Sequence, residues 1–449
     1  MELNKILQLR KLKSIYFTGI KGVAMTALAL CAQDMGIKVT GSDTKELFVT
    51  DKILKDRKID WVEGFKPENI DKKYDLLITT GAHGGLNNPE VVKAKKMGIP
   101  VLTQAEALGE ITRGKEVIAV CGVGGKTTTS ALIAHILNYV GLQPSYLVGV
   151  GKIYPLGYPG RYVKNSKYFV CEADEFVNSP GVDNTPRFMF LAPRVVVVTN
   201  IEYDHPDVYP SFTDTLSAYQ RFFKKIPKDG LLIANAKDKN VDQITETLLC
   251  PIVKFKSDER VETSLPGVYN RKNIAAAIAV ADYLKIPKNK TLEAIKSFKG
   301  VQRRFEKIGV TENGAQVYDD YAHHPKELEA VITAARKEFP RKRIVVVFQP
   351  HTYSRTKALM NEFSQAFSGA DIVGLMDIYA SARERPDPQV SSAKLAQLVA
   401  KYNPNVFYTG GHKSTLEWLN KTLQKDDILF TLGAGDIFYL HKKLCIKPI

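Results

Sequence analysis

The residues best suited to chemistry lie where a buried apolar run, Glu116–Cys121, is followed by a glycine-rich turn and a helical pattern that continues to about Val140. Glycines let backbone N–H groups turn toward a phosphate chain, and a helix N-terminus adds partial positive charge. Lys126 is placed to reach terminal phosphates, and Thr127 to bind Mg²⁺. The segment predicts a nucleoside triphosphate site at Gly122, Val123, Gly124, Gly125, Lys126, Thr127 and Thr128.

This loop is a shortened form of the pattern G-x-x-x-x-G-K-[ST], since the first glycine of that pattern would fall on Val120. On its own, the loop leaves open a simpler interpretation, a glycine-rich turn beside a surface lysine. The order strand, loop, helix favours the nucleotide site.

Two further apolar runs end in groups that can bind a metal. Glu172 follows the run Tyr168–Cys171, and His205 comes soon after Val195–Thr199. Because the carboxyl ends of parallel strands share one edge of a sheet, these groups are expected near the phosphate loop, where a metal would bridge phosphate oxygens. The alternative for any one acid is a helix N-cap.

Strands and helices alternate along the whole chain, which indicates open α/β sheets. The chain opens with a strand at Ser14–Thr18, a helix at Val23–Asp34 and a second strand from Lys38. Later strands are predicted at Tyr74–Thr80, Ile99–Thr103, Leu231–Ala234, Val317–Asp320, Arg343–Phe348, Ile372–Met376, Val406–Thr409 and Ile428–Leu432, and a helix at Lys272–Leu284. The motifs divide the 449 residues into three domains, 1–113, 114–299 and 300–449.

Charge and cysteine usage narrow the class of protein. The net charge of +15 is spread over the three domains as +4, +6 and +5, with no basic tail, so a solvated surface is favoured over a nucleic-acid partner. The five cysteines are scattered and form no zinc-finger spacing or disulfide framework. No signal peptide or run of 18 apolar residues is found, and we expect a cytoplasmic protein without membrane insertion.

Nine motifs resemble, in order and spacing, those of the Mur ligases of bacterial cell-wall synthesis. They are GIKGVAM (19–25), CGVGGKTTT (121–129), EADE (172–175), NIEYDH (200–205), GVYNRKNIAAA (267–277), GVQRRFE (300–306), DDYAHHP (319–325), FQPHTYSRT (348–356) and LGAGDI (432–437). The resemblance implies an α/β protein with a Rossmann-like UDP-binding domain, a central P-loop ATPase domain and a C-terminal Rossmann-like domain that binds the amino acid and closes over ATP.

The resemblance also implies a reaction. Mur ligases join the carboxylate of a UDP-sugar to the amine of an amino acid at the expense of ATP, through an acyl phosphate. The motifs are most similar to the branch that adds L-alanine to UDP-N-acetylmuramate in peptidoglycan synthesis. The expected substrates are therefore UDP-N-acetylmuramate, ATP and L-alanine, with Mg²⁺ as cofactor, and the expected state is a monomer or homodimer.

Residue roles follow from the same resemblance. Lys126 would hold the β- and γ-phosphates, and Thr127, Glu172 and His205 would bind metal. Asn270 and Asn273 would lie at the ATP site, with Asn273 near the adenine. Arg304 would meet the phosphates and Asp320 the ribose. The expected catalytic residues are Lys126, Glu172, His205, Arg304 and His323.

The other two substrates have their own expected sites. Gly19, Ile20, Gly22, Asp43 and His83 would bind the UDP-sugar, whereas Tyr321, His323, His351 and Arg355 would bind the amino acid. An imidazole is suited to accept a proton from the attacking amine. His324 follows His323 directly, and we expect one of the two to be structural.

Several alternatives stay open at the level of sequence. A nicotinamide site at the first glycine turn is disfavoured because Lys21 and Ala24 occupy glycine positions of G-x-G-x-x-G. Val123 and Gly124 replace a Thr-His pair usual in the branch, which keeps the backbone cradle of the phosphate loop and removes side-chain contacts. Thr352 replaces a usual Arg, which removes one cation from the expected amino-acid pocket. The runner-up is the ligase that reattaches recycled murein tripeptide to UDP-N-acetylmuramate. A non-catalytic nucleotide-binding protein on the same scaffold is the alternative of another class.

Overall fold

A computed structural model of the chain describes residues 11–381 and 384–448. Three open sheets flanked by helices account for most of the described residues, and the predicted α/β class is confirmed. Within the described part of the chain, no helix combines the length and apolar character needed to cross a bilayer.

The first sheet has five strands, all parallel, in the order β3-β2-β1-β4-β5. Helix α1 is apolar along most of its length, and its residues from Met25 to Ala32 are buried. The elements are β1 (Ser14–Thr18), α1 (Val23–Asp34), β2 (Lys38–Asp43), α2 (Asp51–Asp56), β3 (Trp61–Glu63), β4 (Leu76–Thr79), α3 (Pro89–Lys96), β5 (Val101–Thr103) and α4 (Gln104–Ile111).

The second sheet is built around two apolar strands that are buried on both faces, as expected for the centre of a parallel sheet. The elements of this part of the chain are β6 (Glu116–Cys121), α5 (Lys126–Tyr139), β7 (Ser145–Leu147), β8 (Ile153–Tyr154), β9 (Gly160–Arg161), β10 (Tyr168–Glu172), β11 (Val177–Ser179), β12 (Asp183–Pro186), β13 (Pro193–Val198), α6 (Phe212–Phe223), β14 (Leu231–Asn235), α7 (Lys239–Thr245), β15 (Ile252–Phe255), α8 (Val268–Tyr283), α9 (Lys288–Ser297) and β16 (Gly300–Val301). Strands β11 and β12 form a separate two-stranded sheet, as do β8 and β16. The strand order is β15-β14-β13-β6-β10-β7-β9, in which only β9 runs antiparallel.

The third sheet has the order β21-β20-β19-β22-β18-β17-β23, and its first five strands are parallel. The elements are β17 (Glu306–Thr311), β18 (Gln316–Asp320), α10 (Pro325–Glu338), β19 (Ile344–Phe348), α11 (Tyr353–Ala358), α12 (Met360–Gln365), β20 (Ile372–Met376), α13 (Ser392–Val399), β21 (Val406–Gly410), α14 (His412–Thr422), β22 (Ile428–Leu432), α15 (His441–Leu444) and β23 (Cys445–Pro448).

The chain forms two compact units. The first contains the first two sheets and ends at residue 301; the second contains the third sheet together with residues 204–209 and 264–271. Strand β16 pairs with β8 and so lies in the first unit. Helix α8 begins at Val268, one turn before the predicted start. The predicted three-domain boundaries at 113/114 and 299/300 stay a prediction.

A buried carboxylate ties the first sheet together. Glu90, near the start of α3, accepts hydrogen bonds from the Tyr16 hydroxyl (3.0 Å), Thr18 Oγ1 (2.8 Å), Ser42 Oγ (2.6 Å) and Asn69 Nδ2 (2.7 Å). Glu90 is fully buried, so water could not take its place as the acceptor for these donors. The first sheet therefore depends on a polar network inside its core.

We predict that Glu90→Ala lowers the free energy of unfolding of the first sheet by about 3 kcal/mol, because it leaves several buried donors unsatisfied. Trp61 in β3 reports on this sheet once the other tryptophan, Trp418, is replaced by phenylalanine. The measurement is denaturant unfolding followed by Trp61 fluorescence. Glu68→Ala, at an exposed position, is the control, and a change below about 1 kcal/mol for Glu90→Ala would contradict the account.

Candidate active site

The loop between β6 and α5 has two positions that only glycine can fill. Gly122 has φ +123°, and a Cβ there would lie 2.2 Å from Thr199 Oγ1. Gly125 has φ +88°, and a Cβ there would lie 2.4 Å from Asn273 Oδ1. A side chain at either position would both strain the backbone and collide with its neighbour. The loop is therefore packed tightly against the end of β13 and against α8.

Lys126, the first residue of α5, forms a buried ion pair. Its Nζ lies 2.9 and 3.1 Å from the two carboxylate oxygens of Glu175, whose side chain is 2% exposed. Burial opposes the charge on Lys126, but Glu175 and Asp174 outweigh it and hold the pKa of Lys126 above its usual value. Burial raises the pKa of Glu175, and the ammonium of Lys126 works against that rise. The predicted phosphate lysine is thus charged and held in place.

A hydroxyl and a carboxylate meet beside this pair. Thr127 Oγ1 donates to Glu172 Oε2 at 3.2 Å, and the other oxygen of Glu172 accepts from the Gly149 backbone N–H at 2.6 Å. Glu172 is the last residue of β10, the strand next to β6. A hydroxyl and a carboxylate are hard oxygen donors of the kind that Mg²⁺ takes in phosphate sites. The chemistry of this pair fits the predicted metal.

Asn200 is a residue of this site that the sequence analysis did not single out. Its Oδ1 accepts from the backbone N–H groups of Val123 (2.9 Å) and Gly124 (3.0 Å), and the Thr199 hydroxyl donates to the Gly124 carbonyl (2.6 Å). Both N–H groups are therefore engaged by Asn200, and their use for phosphate stays a prediction. The sequence feature that could have identified Asn200 is its position directly after a predicted strand of the same sheet.

The remaining predicted ATP residues fall at different places. Asn273 lies against Gly125, as the Cβ test shows, and Thr128 is buried in the first turn of α5. Asn270 belongs to the second unit, where its Nδ2 donates to the Pro266 carbonyl at 2.7 Å. Asn273 is therefore brought to the loop by the fold of the first unit. The role of Asn270 toward ATP stays a prediction.

In the second unit, Arg355 is the centre of a buried cluster. Its Nε donates to Asp204 Oδ1 at 2.9 Å, and its Nη1 donates to the His351 carbonyl at 2.7 Å. Burial works against the charge of Asp204, yet His205 and Arg355 hold the pKa of this carboxyl well below its usual range. The Arg355 guanidinium is thus already engaged by a carboxylate, which the sequence alone did not indicate.

His205 lies next to this ion pair in the second unit. Its Nε2 is 3.6 Å from Asp204 Oδ2, and its backbone has φ +58°. The segment 204–209 groups with the third sheet rather than with the strand β13 that precedes it. The metal role predicted for His205 stays a prediction.

The two neighbouring histidines divide their tasks. His324 is the N-cap of α10: its Nδ1 accepts from the Lys326 N–H, and Glu327 completes the capping box. His323 lies 3.4 Å from Glu327 Oε2 through Nδ1, and its ring is 6.1 Å from that of His351. Burial lowers the pKa of His323 to about 4. His324 is therefore structural, and His323 is a neutral imidazole at pH 7.

Tyr321 links the predicted amino-acid and ATP residues of this unit. Its ring lies 5.4 Å from that of His323, and the Arg304 guanidinium stands 5.3 Å from its centre.

Asp320 is buried and accepts hydrogen bonds from the Phe305 and Ala322 N–H groups at 2.7 and 2.8 Å. Burial raises its pKa to about 6. Asp320 therefore shapes the turn between β18 and α10.

Arg303, next to Arg304, was missed by the sequence analysis. Its guanidinium donates to Asp319 Oδ2 (2.8 Å) and to the Gly433 carbonyl (2.7 Å), and it is buried between the rings of Tyr321 and Phe438. It joins the ends of β18 and β22 and so supports the loops that carry Arg304 and Tyr321.

The glycine turn after β1 is organised by Asp43. Gly19 has φ +80°, and a Cβ there would meet Thr80 at 2.5 Å and approach the His83 ring. Asp43 accepts from the Lys21 N–H at 2.7 Å, and burial raises its pKa. His83 packs on Phe65, with ring centres 4.8 Å apart. Gly19, Asp43 and His83 are thus neighbours, as predicted for one pocket.

Ile20 and Gly22, the other two predicted residues of this turn, have no side chain available to a ligand. Ile20 is fully buried, so only its backbone can meet a ligand, and Gly22 is the N-cap of α1.

Lys21, which departs from the dinucleotide pattern, is 2% exposed. Its Nζ bonds the Glu46 carbonyl, lies 3.6 Å from Asp51 and stands over the Phe48 ring. Lys21 therefore fixes the segment after β2.

Comparison with known families covers most of the chain. The Mur ligase family catalytic domain matches residues 14–116, the Mur ligase middle domain matches 120–260, and the Mur ligase glutamate ligase domain matches 303–435. The chain belongs to the Mur ligase family. The predicted family is therefore confirmed.

Individual Mur ligases match over nearly their full length. A UDP-N-acetylmuramate–L-alanine ligase from Clostridium acetobutylicum is 38% identical over 97% of this chain and 98% of its own. One from Clostridium perfringens is 34% identical, over 95% and 96%. The crystal structure of the UDP-N-acetylmuramate–alanine ligase from Thermotoga maritima superposes with a TM-score of 0.78 at 26% identity, over 96% of this chain and 98% of that one.

A second structural neighbour is the murein peptide ligase from Psychrobacter arcticus. It superposes with a TM-score of 0.72 at 22% identity, over 96% of this chain and 98% of that one. At this identity the likeness shows the Mur ligase fold and nothing finer.

We predict that the His323 ring titrates near pH 4, because burial disfavours its charged form. His412, whose pKa is raised by its hydrogen bond to Asp436, should titrate above 6.5. The measurement is NMR of ¹³C-labelled histidine, assigned with His323→Asn and His412→Asn.

The free energy of unfolding should depend on pH because of the lowered pKa of His323. Since the unfolded chain takes up this proton near pH 6.5 and the folded chain near pH 4, His323 lowers the free energy of unfolding as pH falls through that window. A His323 ring that titrates at or above 6.5 would contradict this description of the site.

Proposed function

We propose that this chain joins L-alanine to the lactyl carboxylate of UDP-N-acetylmuramate, with conversion of ATP to ADP and phosphate. The observation that carries the proposal is the meeting of Lys126, Thr127 and Glu172 at the ends of β6 and β10. It is supported by 34–38% identity over nearly the whole chain to proteins named UDP-N-acetylmuramate–L-alanine ligases.

The first step needs positive charge around the γ-phosphate while the lactyl carboxylate attacks it. In the proposal, Lys126 turns from Glu175 to the phosphate oxygens, and the N-terminus of α5 adds its partial charge. Thr127 and Glu172 would hold Mg²⁺, which neutralises phosphate charge when bound. Asn200 would release the N–H groups of Val123 and Gly124 to the same phosphates.

The second step is attack of the L-alanine amine on the acyl phosphate. A neutral His323 is suited to accept the proton that the amine loses, and the Tyr321 carbonyl, 3.0 Å from its Nδ1, orients the imidazole. Arg355 would meet the substrate carboxylate together with Tyr321 and His351. Asp204 already neutralises part of the Arg355 charge. Arg355 would therefore attract the substrate carboxylate less strongly than an arginine without such a partner.

The competing amine donor is a murein tripeptide. Thr352, a neutral residue at 9% exposure, stands at the N-cap position of α11, where a cation was expected from the L-alanine branch.

With ATP and a UDP-sugar as substrates, the reaction belongs in the cytoplasm and calls for no nucleic-acid partner. A monomeric or homodimeric state stays a prediction.

We predict phosphate release that depends on both ATP and UDP-N-acetylmuramate and that is fastest with L-alanine. The measurement is a coupled phosphate assay with L-alanine, glycine, L-serine and the murein tripeptide in parallel. Turnover with the tripeptide and none with any small amino acid would overturn the proposed substrate.

Two lysine variants test whether the proposed site does this work. Lys126→Ala removes the cation at the phosphates and should lower kcat by at least about a thousandfold. Lys95→Ala, at an exposed position on α3, is the matched control and should leave the rate unchanged. Full activity of Lys126→Ala would show that ATP is bound elsewhere.

A further inference from the structure

The first unit contains a large cavity, which we call the α5 cavity. Its volume is about 910 Å³, within the range of small-molecule sites. Its walls are the last turn of α5, the ends of α1 and α2, the chain between β8 and β10, and Ser297 at the end of α9. It therefore opens between residues of the first sheet and residues of the second, and domain boundaries are common places for ligand sites.

The α5 cavity is separate from the phosphate loop. Lys126 begins α5, whereas His135, Asn138 and Tyr139 line the cavity from its other end. At 1.5 Å per residue, the twelve residues from Lys126 to Asn138 place the two about 18 Å apart. None of the residues that we assign to the three substrates lines it.

One end of the cavity carries two arginines, Arg57 and Arg161. Arg57 is paired with Asp34 at 2.6 Å and packs on the Tyr158 ring at 5.2 Å, so its charge is compensated. The Arg161 guanidinium donates to the neutral amide of Asn138 at 2.9 Å, and among the described residues it has no carboxylate within salt-bridge distance. A half-buried arginine in this position is suited to a ligand anion.

The opposite wall is closed by His135, which is 4% exposed. Its Nε2 lies 3.1 Å from the Ala294 carbonyl and 2.9 Å from Ser297 Oγ, so this nitrogen is engaged within the protein. Its Nδ1 is enclosed by protein and presents essentially no surface to the cavity. His135 therefore shapes this wall through packing and not through a hydrogen bond to a ligand.

The space between these two groups is walled by rings. Tyr139, Tyr158 and Tyr162 line the cavity, and Tyr139 packs beside His135 with ring centres 6.1 Å apart. Tyrosine faces suit flat ligands and contribute through stacking. The lining thus combines an anion partner and aromatic walls.

We propose that the α5 cavity binds a small organic anion that carries a planar ring. The anionic group lies against Arg161, and the ring lies among the tyrosines. The volume accommodates a ligand of nucleotide size. Ser297 and the residues after β8 line the cavity, close to the pairing of β8 with β16. A bound ligand therefore also contacts the segments that lead to residue 301, where the first unit ends.

Three matched probes test this site on the full chain. 4-Aminobenzoate has the anion and the planar ring; cyclohexanecarboxylate lacks the planar ring; aniline lacks the anion. We expect 4-aminobenzoate to shift the ¹³C resonance of the His135 ring, which lines the cavity, and to bind at least about fivefold more tightly than either of the others. Saturating Mg·ATP should not displace it. Equal binding of the three probes, no shift at His135, or displacement by Mg·ATP would overturn the proposal.

Variants separate the site from non-specific binding. Arg161→Gln should weaken 4-aminobenzoate about tenfold and leave aniline unchanged, because only the anion loses its partner. Arg113→Gln, at an arginine that is 63% exposed and paired with Glu110, is the control and should change neither. Arg161 is half-buried on the short strand β9, so the thermal midpoint of each variant is measured first. A well-folded Arg161→Gln protein that binds 4-aminobenzoate as the parent does would contradict the proposal.

Discussion

The buried ion pair between Lys126 and Glu175 is the interaction on which the rest of the site depends. A buried ammonium is tolerated only with a partner, and loss of that partner typically costs about 3–5 kcal/mol. The pair therefore holds Lys126 charged and oriented at the N-terminus of α5. A polyanion that arrives there can replace Glu175 as the partner, so the same cation serves the fold before binding and the phosphates after it.

Backbone geometry around this pair leaves little freedom. Gly122 and Gly125 bring the loop so close to Thr199 and Asn273 that no side chain fits. Since β6, β10 and β13 are parallel neighbours, their carboxyl ends place Lys126, Glu172 and Asn200 at one edge of the sheet. In the second unit, Arg303 and the α10 capping box hold Tyr321, His323 and Arg304 in a comparable way.

Much of the fold could be predicted from the sequence because its central strands are short, continuous apolar runs. Ser14–Thr18, Glu116–Cys121 and Ile428–Leu432 were predicted with the bounds that the structure gives. The phosphate loop was found from its glycines and lysine. Long-range partners left no local signal: the pairing of Asp204 with Arg355 and the contacts of buried Lys21 depend on where distant segments meet. Such side-chain pairings follow from tertiary packing, which periodicity does not report.

The central claim is that the Lys126 ammonium exchanges Glu175 for nucleotide phosphate when ATP binds. A crystal structure of the full chain with UDP-N-acetylmuramate, Mg²⁺ and a non-hydrolysable ATP analogue tests it most directly. The account predicts Lys126 Nζ within hydrogen-bond distance of a phosphate oxygen, with Thr127 and Glu172 at the metal. An analogue bound away from the β6–α5 loop, with Lys126 still paired to Glu175, would contradict it.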